Sequence, residues 1–474
     1  SLKIDMRKRE IENQRKTRSH KPDVDPVGPP PDNFREMTII PHRDDIFTEK
    51  QPYLRKNIVQ GAYENLEHYL DVQFRLLRED FLRPLREGII NLVDQGIDQQ
   101  HGLFKDIRIY RNVKILYPVC SSSGLRHHIQ FDNSKLKRVQ WENSKRLIFG
   151  SLLCLSKDNF QTFVFATVAD RDPKELTSGK LTVQFMDLTI DIQDFSRKSV
   201  YEMVETTAYF EAYNPILEGL QQTEDNNLPF QSYLIECNKD IQAPKYLRPN
   251  RFELSVPSFD FSSILVDDSS PNETGSLHRR FRNLSFEESD ARRKASQFKN
   301  VPVLEEESWP QKEQLGLDES QYEALKIALT KEVAVIQGPP GTGKTFIGLK
   351  IAKLLLNNTE TWIHGEGVLR GRRREVTQTP ILVICYTNHA LDQFLEGIFD
   401  FYGDNEDKIV RIGGRSKSEK LQECNLKAIK EKYKRQGPRF VGREIGRVHT
   451  RLKDVKKNME KSSNAIKKCW QDIL

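Results

Sequence analysis

The chain has 474 residues, of which 30% are charged and 37% hydrophobic, and its formal net charge is +6. This length is enough for about three domains of ordinary size. The longest apolar run, residues 147–155, is interrupted by glycine and serine and is far shorter than the about 20 residues of a membrane span, so the sequence argues against a membrane protein.

The first residues are basic and lack the apolar stretch of a secretory signal, and position 1 is not methionine. We therefore expect a cytoplasmic protein, of which this chain is one piece. The six cysteines are scattered, without the paired spacing of a zinc site. We expect reduced thiols in the core and no zinc site within this chain.

The N-terminal part is predicted to be a linker followed by helix. Residues 1–52 are basic and then Pro-rich, which is typical of a linker, with an arm that contacts nucleic acid as the alternative. In residues 53–100 apolar side chains recur every three or four positions, which predicts an amphipathic helical segment with a kink near Pro84. We expect its arginines on the solvent face: Arg75, Arg78, Arg83 and Arg86.

The period changes to that of strands in residues 101–195. Four short β-rich segments, at 107–119, 146–155, 160–168 and 180–188, are bounded by turn-forming residues. They predict a small β-barrel, of a type that includes oligonucleotide-binding folds, although a barrel alone does not establish nucleic-acid contact. His127 and His128 are expected in a polar loop that faces solvent.

The next segments connect this barrel to a second domain. Residues 196–265 are predicted to form a helix at 200–220 and then an irregular connector, and residues 266–308 a disordered insertion with little apolar content. Residues 309–420 are predicted to form a P-loop domain. Residues 421–474 carry an apolar stripe at three- and four-residue spacing, which predicts half of a helical hairpin or coiled coil.

The most informative stretch is the one around residue 340. A β-branched run at 333–336 predicts a buried strand, helical periodicity follows, and between them lies a P-loop pattern: Gly338, Pro339, Pro340, Gly341, Thr342, Gly343, Lys344 and Thr345. Backbone N–H groups and the helix N-terminus of such a loop bind phosphates. Lys344 is predicted to reach the β- and γ-phosphates and Thr345 to hold Mg²⁺, so these two are the candidate catalytic residues.

Further polar motifs follow predicted strands at 381–385 and 408–412, which together predict a parallel sheet with its ligands along one rim. Gln321 lies on a helix before the P-loop strand and is placed to read adenine. Two classes fit this loop, hexameric AAA-type ATPases and superfamily 1 helicases. Because no Asp-Glu pair follows a hydrophobic strand, the helicase class is favoured.

With these motifs, the chain resembles the Upf-like superfamily 1 RNA helicases, and within them the NFX-type zinc-finger helicases of antiviral and RNA-surveillance biology. Residues 74–81 and 144–155 are similar to the region that precedes the helicase core in that group. The resemblance implies a multidomain α/β protein: a β-barrel, helical stalk segments, and a first RecA-like P-loop domain with a parallel sheet flanked by helices. It also implies ATP-driven movement on RNA, in the cytoplasm or RNA granules, in antiviral defence and innate immunity.

Position by position, the resemblance assigns ATP to Gln321 and to residues 338–345, and Mg²⁺ to Thr345. It assigns RNA phosphates to Thr387, Asn388 and His389. The acidic Mg²⁺-binding motif, the second RecA-like domain with its arginine fingers, and the zinc fingers are missing, and are expected from the remainder of the same polypeptide. Alone, the chain is therefore expected to bind nucleotide poorly and hydrolyse it hardly at all.

Two alternatives stay open at this point. One is a non-hydrolysing RNA-binding platform, in which the nucleotide site is vestigial. The other is the AAA-type ATPase. The choice of RNA over DNA follows from the resemblance alone, because no residue pattern here reads a 2′-hydroxyl.

Overall fold

The chain divides into two units, Ser1–Cys237 with Arg447–Leu474 (unit 1) and Asn238–Gly446 (unit 2). The computed structural model describes residues 28–47, 52–95, 106–121, 124–186, 199–224, 228–248, 256–266, 296–362, 380–402, 408–413, 416–436, 457 and 461. Each unit is described by itself.

Among the described residues of unit 1, the longest element is a 30-residue helix. After the short helix α1 (Arg43–Phe47), helix α2 spans Leu66–Gln95 and continues through Pro84. Its apolar positions at three- and four-residue spacing are almost fully buried: Leu66, Leu70, Phe74, Phe81, Leu85 and Ile89. The helix therefore lies where the spacing predicts one, with its apolar stripe in the core.

The segment before α2 is folded rather than a linker, which corrects the prediction for residues 28–47. Phe34 and Ile46 are 4% and 0% exposed and belong to the same core as α2. Residues 1–27 lie outside the described residues.

Three arginines of α2 hold this segment instead of lying on the solvent face: Arg75 and Arg78 are buried, and Arg86, with its side chain 13% exposed, donates to Asp45 O at 2.5 Å. Arg78 donates two hydrogen bonds to Asp45, at 2.9 and 2.8 Å, and Arg75 donates to Asp71 at 2.6 Å and to Asp32 at 2.7 Å. Burial by itself raises the pKa of Asp45, but the bonds from Arg78 outweigh it and hold the pKa below its ordinary value. Since these charges are desolvated, each must keep its partner.

Six antiparallel strands close into the predicted barrel. They are β1 (Ile107–Ser121), β2 (Gly124–Gln130), β3 (Leu152–Ser156), β4 (Val164–Asp170), β5 (Lys180–Phe185) and β6 (Tyr201–Thr206), and their order around the barrel is β1-β2-β5-β4-β3-β6. The short helix α3 (Pro173–Thr177) joins β4 to β5. The barrel extends past the predicted end at residue 195, because β6 closes it.

Two sequence predictions in this region are wrong. His127 and His128 lie in strand β2 rather than in a loop, and His127 is only 6% exposed. Residues 201–206 form β6, and the helix predicted from residue 200 begins ten residues later as α4 (Phe210–Gln222). Both segments pair with β1. This partner is distant in sequence from β6, so the local periodicity of residues 201–206 did not reveal a strand.

The barrel has two apolar surfaces. Its interior is filled by side chains such as Ile115, Ile129 and Leu181, whereas part of its outer surface packs against α2 through residues such as Leu152 and Phe165. A short helix α5 (Gln231–Leu234) follows α4 near the end of the unit.

Unit 2 contains a short ribbon and five helices among its described residues. Strand β7 (Ser258–Phe259) pairs with β8 (Val301–Pro302), and helices α6 (Glu319–Thr330), α7 (Lys344–Asn357), α8 (Thr359–Trp362), α9 (Asn388–Tyr402) and α10 (Leu426–Gln436) follow. Val301 and Val303 are 3% and 0% exposed and pack in one core with Trp309 and Leu325. Residues 296–308 are therefore folded, which corrects the prediction of a disordered insertion for that part, and its residues 267–295 lie outside the described residues.

The parallel sheet predicted for this unit is not paired in the described residues. The segments at 334–337, 381–385 and 409–412 form no strand, and the pairing present there is one parallel bridge between Arg411 and Asn425. Val335, Leu382 and Ile384 are 87%, 77% and 81% exposed. Strands of a parallel sheet are normally buried by helices on both faces. These segments have the apolar composition of such strands, but they are exposed and have no paired neighbouring strand in the described residues.

The helical segment predicted from residue 421 begins inside the core of unit 2. Leu421 and Cys424 are fully buried in one cluster with Leu395 of α9, and α10 starts two residues later. The apolar stripe predicted beyond this helix falls almost entirely outside the described residues. In the part of the chain that the structure describes, no helix combines the length and apolar character required to cross a membrane.

Candidate functional site

The P-loop has the backbone that its glycines permit. Gly341 and Gly343 have φ angles of +85° and +78°, in the left-handed region, and Gly343 is the N-cap of α7. At Gly338 an added Cβ would lie 2.7 Å from the Thr342 hydroxyl oxygen. Any side chain at these positions would strain the loop or fill the concavity, so the pattern of glycines is explained by geometry.

Side chains of the loop bond to its own carbonyls. The ammonium group of Lys344 donates to the carbonyl oxygens of Gly338 and Pro339, each at 2.7 Å. The Thr342 hydroxyl donates to Pro339 at 2.9 Å. Lys344 thus lies across the mouth of the loop, where an anion would meet its charge.

Thr345 follows in the first turn of α7, and its side chain is exposed. The helix N-terminus contributes partial positive charge at this point, and the Thr345 hydroxyl is open to coordinate a cation that accompanies a phosphate. These residues fit a nucleotide with its Mg²⁺ ion. Elsewhere in the described segments, no group of three His, Cys, Asp or Glu side chains could hold a metal.

Gln321, which was predicted to read adenine, contacts the P-loop. It is the third residue of α6, where the Asp318 carboxylate accepts from the Gln321 N–H at 2.8 Å and the Gln321 amide accepts from the Asp318 N–H at 3.3 Å, a capping box. The amide nitrogen of Gln321 donates to Thr342 O at 3.4 Å, and an added Cβ on Gly343 would lie 2.6 Å from that nitrogen. Gln321 therefore couples the start of α6 to the loop.

The three residues predicted to contact nucleic acid lie at the N-terminus of α9. The Thr387 hydroxyl accepts from the Ala390 N–H at 3.1 Å and so caps the helix. Asn388 and His389 begin the helix, and both are exposed. The helix N-terminus and the Asn388 amide give this surface several donors suited to a phosphate oxygen.

A buried arginine that the sequence analysis missed organises this surface. Arg411 is 0% exposed and donates to Asp392 at 2.7 Å, to Gly413 O at 2.7 Å and to the Asn388 amide oxygen at 3.1 Å. Ser416 donates to the second carboxylate oxygen of Asp392 at 2.9 Å. The Arg411 guanidinium thus connects the first two turns of α9 to the segment that ends at Gly413.

The electrostatics of this cluster favour the ionised carboxylate. Burial raises the pKa of Asp392, but the hydrogen bonds from Arg411 and Ser416 outweigh burial and keep the pKa below its ordinary value. Because Arg411 satisfies the Asn388 amide oxygen, the Asn388 amide N–H groups stay available as donors. The signal for Arg411 was present in the sequence as a lone charge inside a β-branched run.

The helices that carry the two sets of residues pack directly on each other. An added Cβ on Gly397 of α9 would lie 2.6 Å from Leu349 Cδ1 of α7, and one on Gly348 of α7 would lie 3.1 Å from Phe394 of α9. Two glycines thus permit a close approach of α7 and α9. The P-loop and the α9 N-terminus are therefore parts of one packed scaffold.

Two family models match separate parts of the chain, one over the barrel and one over the P-loop region. Residues 103–207 match the model of the ZNFX1 domain, and residues 316–473 match that of an AAA domain. The chain is 41% identical over 450 residues to NFX1-type zinc finger-containing protein 1 of Homo sapiens. The aligned region covers 94% of this chain and 22% of that protein.

Two fission yeast proteins are also similar to this chain. The helicase required for RNAi-mediated heterochromatin assembly 1 of Schizosaccharomyces pombe is 31% identical over 392 residues, or 82% of this chain and 33% of that protein. The ATP-dependent helicase upf1 of the same organism is 28% identical over 118 residues, or 25% of this chain and 11% of that protein. The chain thus spans about a fifth to a third of the relatives that it matches over most of its length.

Proposed function

The chain is homologous to the NFX1-type zinc finger-containing proteins and to helicases of the Upf1 type, and from this premise we propose that it is part of an ATP-dependent RNA helicase. In this proposal ATP and Mg²⁺ bind at the P-loop, and RNA phosphates bind at the N-terminus of α9. The biological setting is RNA surveillance or antiviral RNA sensing in the cytoplasm. The remainder of the longer polypeptide supplies the second RecA-like domain.

The observation that carries the proposal is the phosphate loop with its neighbouring residues. Gly338, Gly341 and Gly343 keep the concavity open, and Lys344 lies across it. When an anion enters, the ammonium group of Lys344 would exchange two neutral carbonyl acceptors for an ionised one, and so gain an ion pair. When bound, ATP would provide the γ-phosphoryl group, and Mg²⁺ held by Thr345 would neutralise the charge that develops on the phosphates.

The contact between Gln321 and the loop supports the assignment of this residue to the adenine. The amide presents one donor and one acceptor, which is the pattern needed by the adenine N7 and N6 atoms. Because the same amide bonds to Thr342 O and Asp318 N, its engagement by a base would change the bonds that join α6 to the loop.

The surface at the α9 N-terminus supports a phosphate-binding role. Arg411 holds the Asn388 amide oxygen and so directs its N–H groups away from the core, while Thr387 caps the helix. These contacts make a rigid donor set, which suits the sugar–phosphate backbone and carries no preference for base sequence.

Two rival functions are weighed against this proposal. The names of the similar proteins favour a helicase over an AAA-type ATPase, although the matching model over residues 316–473 is described as an AAA domain. A non-hydrolysing RNA-binding platform is the second rival. The loop geometry favours a working nucleotide site over a vestigial one, because each glycine is still required by its conformation.

The first test is nucleotide binding by this chain, measured with a fluorescent ATP analogue and Mg²⁺. Lys344→Ala is expected to weaken binding at least about tenfold, since it removes a charge-assisted bond. Lys353→Ala, on the same helix but with its ammonium group over the Phe401 ring, is the matched control and is expected to leave binding unchanged. Equal affinities for all three proteins would contradict the nucleotide site.

The second test is RNA-stimulated ATP hydrolysis by this chain and by a chain that continues several hundred residues downstream in the natural polypeptide. We expect turnover only in the longer chain, and its loss in Lys344→Ala. A longer chain that binds RNA and never hydrolyses ATP would replace the proposal with the RNA-binding platform. Hexamers that form only with ATP would support the AAA-type ATPase instead.

A further inference from the structure

Helix α4 of unit 1 is apolar on two sides. One side packs into the core through Phe210 and Leu217, which are 2% and 0% exposed. The opposite side is exposed, and we call it the outer α4 face: Ala212, Pro215, Ile216 and Gly219. Because a helix that is apolar on both sides is normally buried on both, this face lacks its packing partner among the described residues.

The outer α4 face has room for a second helix. Ile216 is 54% exposed, and a Cβ added to Gly219 meets no atom within 4 Å. At the start of α4 the Tyr209 hydroxyl donates to Phe149 O at 2.9 Å, and these two aromatic residues are 38% and 55% exposed. Small residues at 212 and 219 permit another helix to approach α4 closely.

Acidic side chains border this face on one side. Glu211 and Glu218 lie next to it along the helix, and both are exposed. The Glu218 carboxylate accepts from Asn214 at 2.9 Å, and neither glutamate is in an ion pair within the described part of the chain. A complementary partner therefore combines an apolar stripe with basic residues beside it.

One segment of the chain itself has this combination. The apolar stripe of its C-terminal part runs without interruption through Val448, Leu452, Val455 and Met459. As a helix it is about 16 Å long, and the outer α4 face with Tyr209 is about 15 Å long. Arg451 and Lys456 flank the stripe on a helical wheel, one on each side.

Two described residues support a packing role for this segment. Lys457 and Lys461 are helical and exposed, and they lie one turn apart on the side of the helix opposite to the stripe. The division of the chain also groups Arg447–Leu474 with unit 1, the unit that contains α4. An exposed basic side opposite an apolar stripe is expected of a helix that packs on its own unit.

We propose that the stripe at 448–459 packs on the outer α4 face. The contact buries Ile216 against the stripe and brings basic residues beside Glu211 and Glu218. Because the segment is tethered to the same chain, its effective concentration exceeds that of a second copy. The contact goes beyond the proposed function, since it needs neither nucleotide nor RNA. It holds the chain where it returns to unit 1 at Arg447.

The test is the reactivity of a thiol placed on the outer α4 face of the whole chain. Ile216→Cys is labelled with a maleimide, and the rate at this position is read by peptide mass spectrometry without nucleotide or RNA. Adding Leu452→Asp and Val455→Asp is expected to accelerate labelling at least about tenfold, because burial of one such side chain already contributes about that factor.

The matched control changes the other side of the same segment. Lys457→Asp with Lys461→Asp introduces the same side chains at exposed positions and is expected to leave the labelling rate unchanged. Leu125→Cys, at a position 46% exposed on β2, gives the rate of an uncovered thiol, which neither pair of substitutions should alter. Melting temperatures of all variants check that unit 1 stays folded.

Two results would overturn the proposal. In the first, the thiol of Ile216→Cys reacts as fast as that of Leu125→Cys with or without the stripe substitutions, so the outer α4 face is uncovered. In the second, its protection rises with protein concentration, so the partner is a second copy of the chain. Both results leave the proposed function standing, because nucleotide binding is tested separately with Lys344→Ala.

Discussion

Arg411→Met is the substitution that tests most directly how the α9 surface is held. Arg411 is fully buried, and the side chain of its partner Asp392 is 10% exposed, so neither charge is well solvated. Met preserves volume but removes the donors to Asp392, Asn388 and Gly413. Removing one partner of a buried pair costs about 3–5 kcal/mol, because the other charge stays buried and unpaired.

The measurement is hydrogen–deuterium exchange of the α9 amides, which reports local opening in a chain with two units. At about 3 kcal/mol, exchange of the slow α9 amides is expected to accelerate roughly 150-fold. The matched control is Lys420→Met, which breaks an exposed pair with Asp400 of the same helix, 2.8 Å apart, and such pairs contribute about 0–1 kcal/mol. If Arg411→Met accelerates exchange no more than this control, the cluster does not hold α9.

The pH dependence gives an independent check. The pKa of Asp392 is lower in the folded chain than in the unfolded one, so its stabilisation is complete above the ordinary carboxyl pKa and is lost as pH falls through the lowered value. The difference between the wild type and Arg411→Met should therefore shrink in acid. The double variant Arg411→Met with Asp392→Leu should recover part of the loss at neutral pH, since no unpaired charge remains.

Three further predictions concern other parts of the chain. Burial lowers the pKa of His127 to about 4, so between pH 6.5 and 4 the unfolded chain binds a proton that the folded chain does not. The stability of the barrel should therefore fall by roughly 3 kcal/mol over this range. His127→Leu should remove this contribution, as measured by thermal unfolding. Gly343→Ala places a Cβ at positive φ against Gln321 and should weaken ATP-analogue binding about tenfold, whereas Gly219→Ala, with open space around it, should not. Asp318→Ala removes the capping box and should cost about 1 kcal/mol in thermal unfolding of unit 2.

Strands and folded segments were predicted correctly where local composition indicates them, and were missed where the residues that pack or pair with them are distant along the chain. The β1, β3, β4 and β5 strands lie in or overlap the segments whose composition predicted them, since each is rich in β-forming residues and bounded by turn residues. Strand β6 was missed because its partners are β1 and β3, and its own alternation lies next to a helical pattern. Residues 296–308 were wrongly assigned to a disordered insertion for a similar reason, because Val301 and Val303 are buried by residues such as Leu325 that lie further along the chain.

The burial of charged side chains also depends on partners that are distant along the chain. Arginines on a helix with an apolar stripe were expected on the solvent face, and Arg83 does lie there, with its side chain 58% exposed. Arg75 and Arg78 are buried instead, because carboxylates from residues 32 and 45 fold over them. No pattern within the helix records the position of those partners.

The sequence by itself determined the phosphate loop. The residues from Gly338 to Thr345 are contiguous, their glycines set the backbone angles, and the following helix supplies the N-terminus, so the physical cause is local. Only the tertiary structure decided which residues support the α9 surface. Arg411 bonds to Asn388 and Asp392, which are 23 and 19 residues away, and the burial that strengthens these bonds exists only once these segments have folded together.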